Sequence, residues 1–267
     1  MGKDGLYAGH ESGHGCHSGI VKMCMFAQRA AQYRTEKMME KPPNPWCALQ
    51  EKRDAEGNAC YLLDEDAPYI LAFNKEREEN THAWINTTRV PEPRLGSINA
   101  PVFILQSNPS LQGGNPTSEQ SKDAIEALKN DESPHAGLNG QNNWWLDRYG
   151  QLARDVCETK KLAEKICSVE YFPYPSPNFD RRHAYIRLPS QNYTFSIIRR
   201  ALQMKAVIVV TRSWSQWVGA IPELANAPCG EEKRVFTTNS PQCAYITEKN
   251  LGCEAYKAIL KKIGCSN

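Results

Sequence analysis

Four short polar stretches each follow an apolar run, and together they hold most of the residues able to do chemistry. The first is Gln106-Ser107-Asn108-Pro109-Ser110, leading to Gly113, Gly114 and Asn115. Asn108 brings an amide oxygen that orients water and an NH₂ that holds a neighbouring acceptor. Pro109 sets the turn, and the small residues let backbone N–H groups approach a ligand. The second stretch runs from Pro173 to Phe179. Tyr174 and Phe179, on a proline-stiffened loop, suit either stacking on a flat ring such as a nucleobase or capping a core. Just ahead of them Glu170 places a carboxylate in an apolar run, where a buried charge needs a partner or a purpose. The third stretch is Thr211-Arg212-Ser213-Trp214, in which Arg212 reaches a phosphate or a carbonyl. The fourth is Thr238-Asn239-Ser240-Pro241-Gln242, whose side chains and backbone N–H groups suit phosphodiester contacts.

Stricter motifs are absent. There is no G-x-x-x-x-G-K-[ST] of a P-loop, no G-x-G-x-x-G after a strand and no G-x-S-x-G elbow. The histidines avoid the four stretches apart from His183, read as part of a distal loop. A set of Asn, Gln, Ser and Arg does not suit most acid–base hydrolyses of esters or amides. No two of the ten cysteines have C-x-x-C spacing. His10, His14, Cys16 and His17, followed by Cys24, offer ligand types that zinc accepts. Their Gly-rich terminal setting is read instead as a mobile tail, and no metal or other cofactor is assigned.

The elements that must position these stretches alternate. Strands are expected at Pro101 to Gln106, Cys167 to Phe172, Lys205 to Arg212 and Arg234 to Thr238. Helices are expected at Ser118 to Asn130, Trp144 to Lys165, Gln191 to Met204, Trp214 to Asn226 and Glu248 to Ile263. Continuous apolar strands between helices imply a buried parallel sheet covered on both faces. Such a sheet puts its ligand site at the carboxyl ends of its strands, where the four polar stretches fall. Upstream, residues 60–90 alternate short apolar runs with polar ones and read as an antiparallel hairpin or meander. A helix is expected from Val21 to Lys41, stopped by Pro42, Pro43 and Pro45. Residues 1–59 therefore read as an N-terminal extension, tail plus helix, and residues 60–267 as the α/β domain. Trp144 and Trp145 are expected to be mainly structural, since adjacent helical residues face different sides.

Composition bounds the function. With 40% hydrophobic and 23% charged residues the chain matches an ordinary globular protein. No apolar run is long enough for a transmembrane helix, and no apolar segment backs the first lysine as a secretory signal would. A cytoplasmic monomer with no membrane partner is expected. The 32 basic against 30 acidic residues leave a net charge of +2, so any nucleic-acid contact must come from a local patch.

The motif order resembles the uracil-DNA glycosylase superfamily, and more closely a divergent bacterial branch of it. The residues that carry the resemblance are Pro91 to Ser110, Val169 to Ser176, Val207 to Trp217 and Thr238 to Gly252, within a span from about residue 60 onward. The resemblance implies a three-layer α/β/α sandwich around a four-stranded parallel sheet. It implies a water-holding role for Asn108, assisted by Gln106, and base contacts from Ser107, Pro109, Ser110, Glu170 and Tyr174. DNA contacts would come from Arg212, Ser213, Asn239, Ser240 and Gln242. Asn108 stands where the best-known branch has aspartate, and the histidine of the second motif is missing, which leaves the excised base open. The expected activity is monofunctional hydrolysis of the N-glycosidic bond of a damaged or modified base in DNA, in repair or against modified phage DNA. A non-catalytic nucleic-acid-binding protein on the same fold is the alternative, and an unrelated α/β hydrolase or transferase the third.

Overall fold

In the computed structural model, residues 41–77, 83–111, 116–139, 143–156, 159–227, 230–240 and 242–264 are described. The expected helix at 21–41, apart from Lys41, lies outside them, as do His10, His14, Cys16, His17 and Cys24, and Gly113, Gly114, Asn115 and Pro241.

Chain order runs β1 (Lys52–Arg53), β2 (Ala59–Cys60), α1 (Ala67–Lys75), β3 (Arg94–Leu95), β4 (Val102–Gln106), α2 (Ser118–Lys129) and α3 (Ala136–Asn139). It continues with α4 (Asn143–Arg148), α5 (Gly150–Val156), α6 (Thr159–Lys165), β5 (Ile166–Glu170), α7 (Arg181–Tyr185) and α8 (Gln191–Gln203). Last come β6 (Val207–Val210), α9 (Trp214–Ala220), β7 (Val235–Thr237), α10 (Glu248–Leu251) and α11 (Cys253–Ile263). The protein is therefore α/β, built on a mostly parallel five-stranded sheet in the order β3-β5-β4-β6-β7.

Four of these strands are the expected ones and run parallel. The fifth, β3, adds an antiparallel edge, with Arg94 opposite Val169 and Leu95 opposite Ser168. Every residue of β4, β5 and β6 is buried, as continuous apolar runs in a covered sheet require. Alternation along the strands then splits the core. Phe103, Leu105, Cys167, Val169, Ile208 and Val210 join Ile125 and Leu128 of α2 and Phe195 and Ile198 of α8. Val102, Ile104, Ile166 and Val209 join Leu152 of α5, Leu162 of α6 and Ile259 of α11.

Helix boundaries follow local chemistry. At α2 the Thr117 hydroxyl accepts from Gln120 N while Gln120 Oε1 accepts from Thr117 N, a reciprocal capping box. The single helix expected at the C-terminus breaks at Gly252, whose φ is +82°, giving α10 and α11. The long helix expected from Trp144 to Lys165 likewise appears as α4, α5 and α6.

Two upstream expectations are corrected. The apolar run around Tyr69 to Phe73 is not a strand but lies in helix α1, where Pro68 stands in the first turn and Ile70 and Asn74 are buried one turn apart. An antiparallel hairpin does occur, but earlier, between β1 and β2. The compact unit carrying the sheet begins at Pro42, with Trp46 and Leu49 in its core, so residues 42–59 belong with it and not with an extension. The reason is polar as well as apolar. Asn44 Nδ2 donates to Asp131 Oδ1 (2.8 Å), and Asp131 forms a buried ion pair with Arg94 (3.0 Å). No helix among the described residues is long and apolar enough to cross a membrane.

Candidate functional site

The strand order reverses on either side of β4, because the chain passes from β4 to β5 on one flank and then to β6 on the other. That reversal opens a crevice beyond the carboxyl ends, the usual ligand position of an open α/β sheet. A cleft of about 540 Å³ lies there. Its walls come from three of the four polar stretches expected at the strand ends, and from Gln242 of the fourth. Ser107, Asn108 and Ser110 follow β4; Ser176, Pro177, Asn178 and Phe179 follow β5; Arg212 and Ser213 follow β6.

Asn108 is held in one orientation. Its Nδ2 donates to the Pro109 carbonyl oxygen (3.0 Å) and to Ser176 Oγ (2.8 Å). A carbonyl oxygen only accepts, so the nitrogen must face it and the amide cannot be flipped. Ser176 Oγ in turn donates to the Asn178 carbonyl (2.8 Å), which locks its hydroxyl as an acceptor toward Asn108. The side-chain oxygen of Asn108 is left as an acceptor on a half-buried residue that lines the cleft.

Ser107 and Ser213 join the two loops across the switch point through their hydroxyls (2.7 Å). Ser213 adopts φ 58° and ψ 38°, the left-handed region, just before α9. A non-glycine residue there stores roughly 1–3 kcal/mol of strain, which the surrounding structure must hold. Trp217 of α9 supplies part of that hold: it is fully buried, and its Nε1 donates to the Gln106 carbonyl (2.9 Å). Arg212 is exposed and donates to the Gln242 carbonyl (3.1 Å), which bridges the loops after β6 and β7.

Several expected site residues lie elsewhere. Tyr174 is fully buried; its hydroxyl donates to Asp66 Oδ2 (2.9 Å) and accepts from Leu63 N (3.2 Å), so it is a core residue and not a base contact. Gln106 and Pro109 are buried behind the cleft wall. Asn239 and Ser240 do not line the cleft. Asn239 donates to the Lys249 carbonyl (3.1 Å) and Ser240 N to Asn250 Oδ1 (3.3 Å), so both build the turn that presents Gln242. Ser176, Asn178 and Phe179 take the place expected for Tyr174; the polar run Ser176-Pro177-Asn178 was the available signal.

Glu170 is buried at the tip of β5, beside Gln106 in the sheet register, and one carboxylate oxygen has no partner among the described residues. Burial, with the Glu92 carboxylate adding to it, holds the Glu170 carboxyl well above the usual carboxylate range, while Arg212 opposes the shift. Deeper on the same face, Ser168 Oγ is shared between His135 Nε2 (2.9 Å) and the Tyr149 hydroxyl (3.0 Å). Burial pushes His135 down to about 3, so this network is uncharged. Trp145 packs edge-on to His135 and is buried, as expected; Trp144 is partly exposed and lies under the Arg148 guanidinium. A smaller cavity of about 170 Å³, between α8 and β7, contains Glu223 and Arg234, but Glu223 is paired with Arg199 (3.0 Å).

Comparison with profiles of protein families, with characterised proteins and with solved structures gives no significant match. The site has to be judged on its own geometry.

Proposed function

We propose that this protein is a monofunctional DNA glycosylase, on the three-layer α/β/α plan of the uracil-DNA glycosylase superfamily, that hydrolyses the N-glycosidic bond of a damaged or modified base. The observation that carries the reading is Asn108: an amide fixed by two outgoing hydrogen bonds, its acceptor oxygen left for the cleft at the switch point.

Cleavage of a deoxynucleoside passes through a sugar that is already cationic, so alignment of water matters more than strength of base. An amide has no proton-accepting power at neutral pH, but its oxygen orients a water toward the anomeric carbon. Phe179 offers the flipped base a face to stack on, and Ser107, Ser110 and Asn178 offer polar edges. Backbone N–H groups of the Ser107 to Ser110 turn stabilise the departing base, a kind of donor worth roughly 3–4 kcal/mol each. Arg212 and Gln242 meet the phosphates at the rim of the cleft. The bond that breaks joins base to sugar, water supplies the new C–O bond, and the base leaves with the proton.

The test is single-turnover base release from duplex oligonucleotides carrying a panel of modified bases, scored as alkali-labile sites. Release by the wild type with a loss of roughly 10²-fold or more in Asn108→Ala supports the reading. Binding without release from any base favours the non-catalytic alternative. Full activity in Asn108→Ala overturns the mechanism.

A further inference from the structure

The cleft wall made by Phe179 continues into a surface that the mechanism leaves unused. Phe179 stacks nearly parallel on His183, with centroids 5.7 Å apart and planes 18° apart. His183 is fixed as a neutral ring: its Nδ1 accepts from Asp180 N (2.9 Å), so Nε2 carries the hydrogen and donates to the Ala83 carbonyl (2.9 Å). Burial lowers its basicity further. His183 thereby links α7 to Ala83 by its hydrogen bond and to the cleft-lining Phe179 by ring contact.

Two residues beyond it, on the opposite face of α7, Tyr185 is 86% exposed, more than any other large hydrophobic residue described. On a helix that is a Cα separation of about 5.5 Å from His183, which stacks on the cleft-lining Phe179. Its neighbours Arg181, Arg182 and Arg187 are exposed too. Arg182 is committed to Asp180 through a bidentate pair (both 2.9 Å), and Arg187 lies over the Phe195 ring (4.1 Å). Arg181 is an exposed cation of this group that makes no ion pair among the described residues. An exposed ring among arginines is the combination that binds a nucleic-acid strand without reading its sequence, the ring taking a base and the cations the phosphates.

We infer that Tyr185, with Arg181 beside it, is a stacking site for an unpaired nucleotide of the DNA strand flanking the base held in the cleft. This rests on the glycosylase reading and adds to it a contact on the β5 side, opposite Arg212. A ring stacked there would hold a neighbouring base out of the duplex, which lowers the cost of extruding the target and favours single-stranded or locally melted DNA.

The experiment is fluorescence anisotropy of a dye-labelled mixed-sequence single-stranded oligonucleotide, and of its duplex, titrated with the full-length wild type, Tyr185→Ala, Tyr185→Phe and Arg181→Ala. Base release is measured on the same samples. Because the ring is exposed, Tyr185→Ala should keep the wild-type melting temperature. Loss of one stacked base weakens single-strand binding by about 5- to 160-fold in Tyr185→Ala, and Tyr185→Phe, which keeps the ring face, stays near wild type. Arg181→Ala lowers the dependence on salt. Wild-type affinity in Tyr185→Ala, with base release intact, overturns the stacking site and leaves the glycosylase reading standing. Weakened binding in Tyr185→Ala with no base released by any protein does the reverse. Absence of binding by the wild type overturns both.

Discussion

An amide that already donates twice narrows what Asn108 can become. In Asn108→Asp a carboxylate oxygen would face the Pro109 carbonyl at the 3.0 Å where a donor now sits. Ser176 would have to give up its bond to the Asn178 carbonyl to donate instead. We expect Asn108→Asp to release base no faster than Asn108→Ala in single-turnover assays, although a carboxylate is the stronger base. Rates above wild type would show that water activation outweighs loop geometry. Glu170 permits a different test. Its carboxyl is raised by burial above the unfolded value, so the folded state favours the protonated form. The stability this gives is complete below the ordinary carboxylate range and is lost as pH rises through the raised folded value. Glu170→Gln keeps the shape and removes the titration. Thermal unfolding from acid to neutral pH should show the wild type losing ground to Glu170→Gln as pH rises. A constant gap would mean that Arg212 already compensates an ionised Glu170. Neither property could be read from residue type alone. Glu170 stood out as a charge in an apolar strand, and Asn108 by its place after one, but Tyr174 looked like Phe179. Two rings on one proline-rich loop differ only in which side of the loop they leave.

Strands and helices were legible where the core writes a long signal. Val207 to Val210 and Val102 to Gln106 are buried throughout and read as strands at once. Strand β3 was invisible because two residues, Arg94 and Leu95, carry no periodicity, and its position depends on pairing with β5. The α1 segment was misread because a run as short as Tyr69 to Phe73 satisfies either period until Pro68 is placed in a first turn. The glycine after β3 makes the edge pairing testable. Gly96 has φ +113°, and a Cβ there would lie 2.3 Å from the Ile166 carbonyl oxygen and 2.8 Å from Cys167 Cα. Both are backbone atoms of a buried strand, so neither yields cheaply. Gly96→Ala should cost about 3 kcal/mol or more, lowering the melting temperature by about 6–12 °C. A change within 2 °C or so would mean that β3 peels from β5 at little cost.

At the scale of the whole molecule, the near-neutral charge and the open cleft pull in different directions. A protein with 32 basic and 30 acidic residues gains little long-range attraction to DNA, so on the glycosylase reading proposed above its affinity would have to come from few phosphate contacts. Arg212 is the best placed of these: exposed at the rim of the cleft, on the β6 side of the switch point, and steadied by the Gln242 carbonyl (3.1 Å). Its location followed from the parallel-sheet rule and the strand pattern, whereas its tether to Gln242 depends on a turn built by Asn250, 38 residues further along the chain and without any motif. If Arg212 neutralises one phosphate, Arg212→Ala should weaken binding to every sequence alike. The slope of log affinity against log salt should fall by about 0.9 for duplex DNA. Base release at saturating protein should change far less than it does in Asn108→Ala, because the lost contact lies outside the reacting bond. An unchanged salt slope combined with a slower chemical step would put the guanidinium over the base or the sugar. Glu170 would then lose, as substrate arrives, the charge that opposes its upward shift.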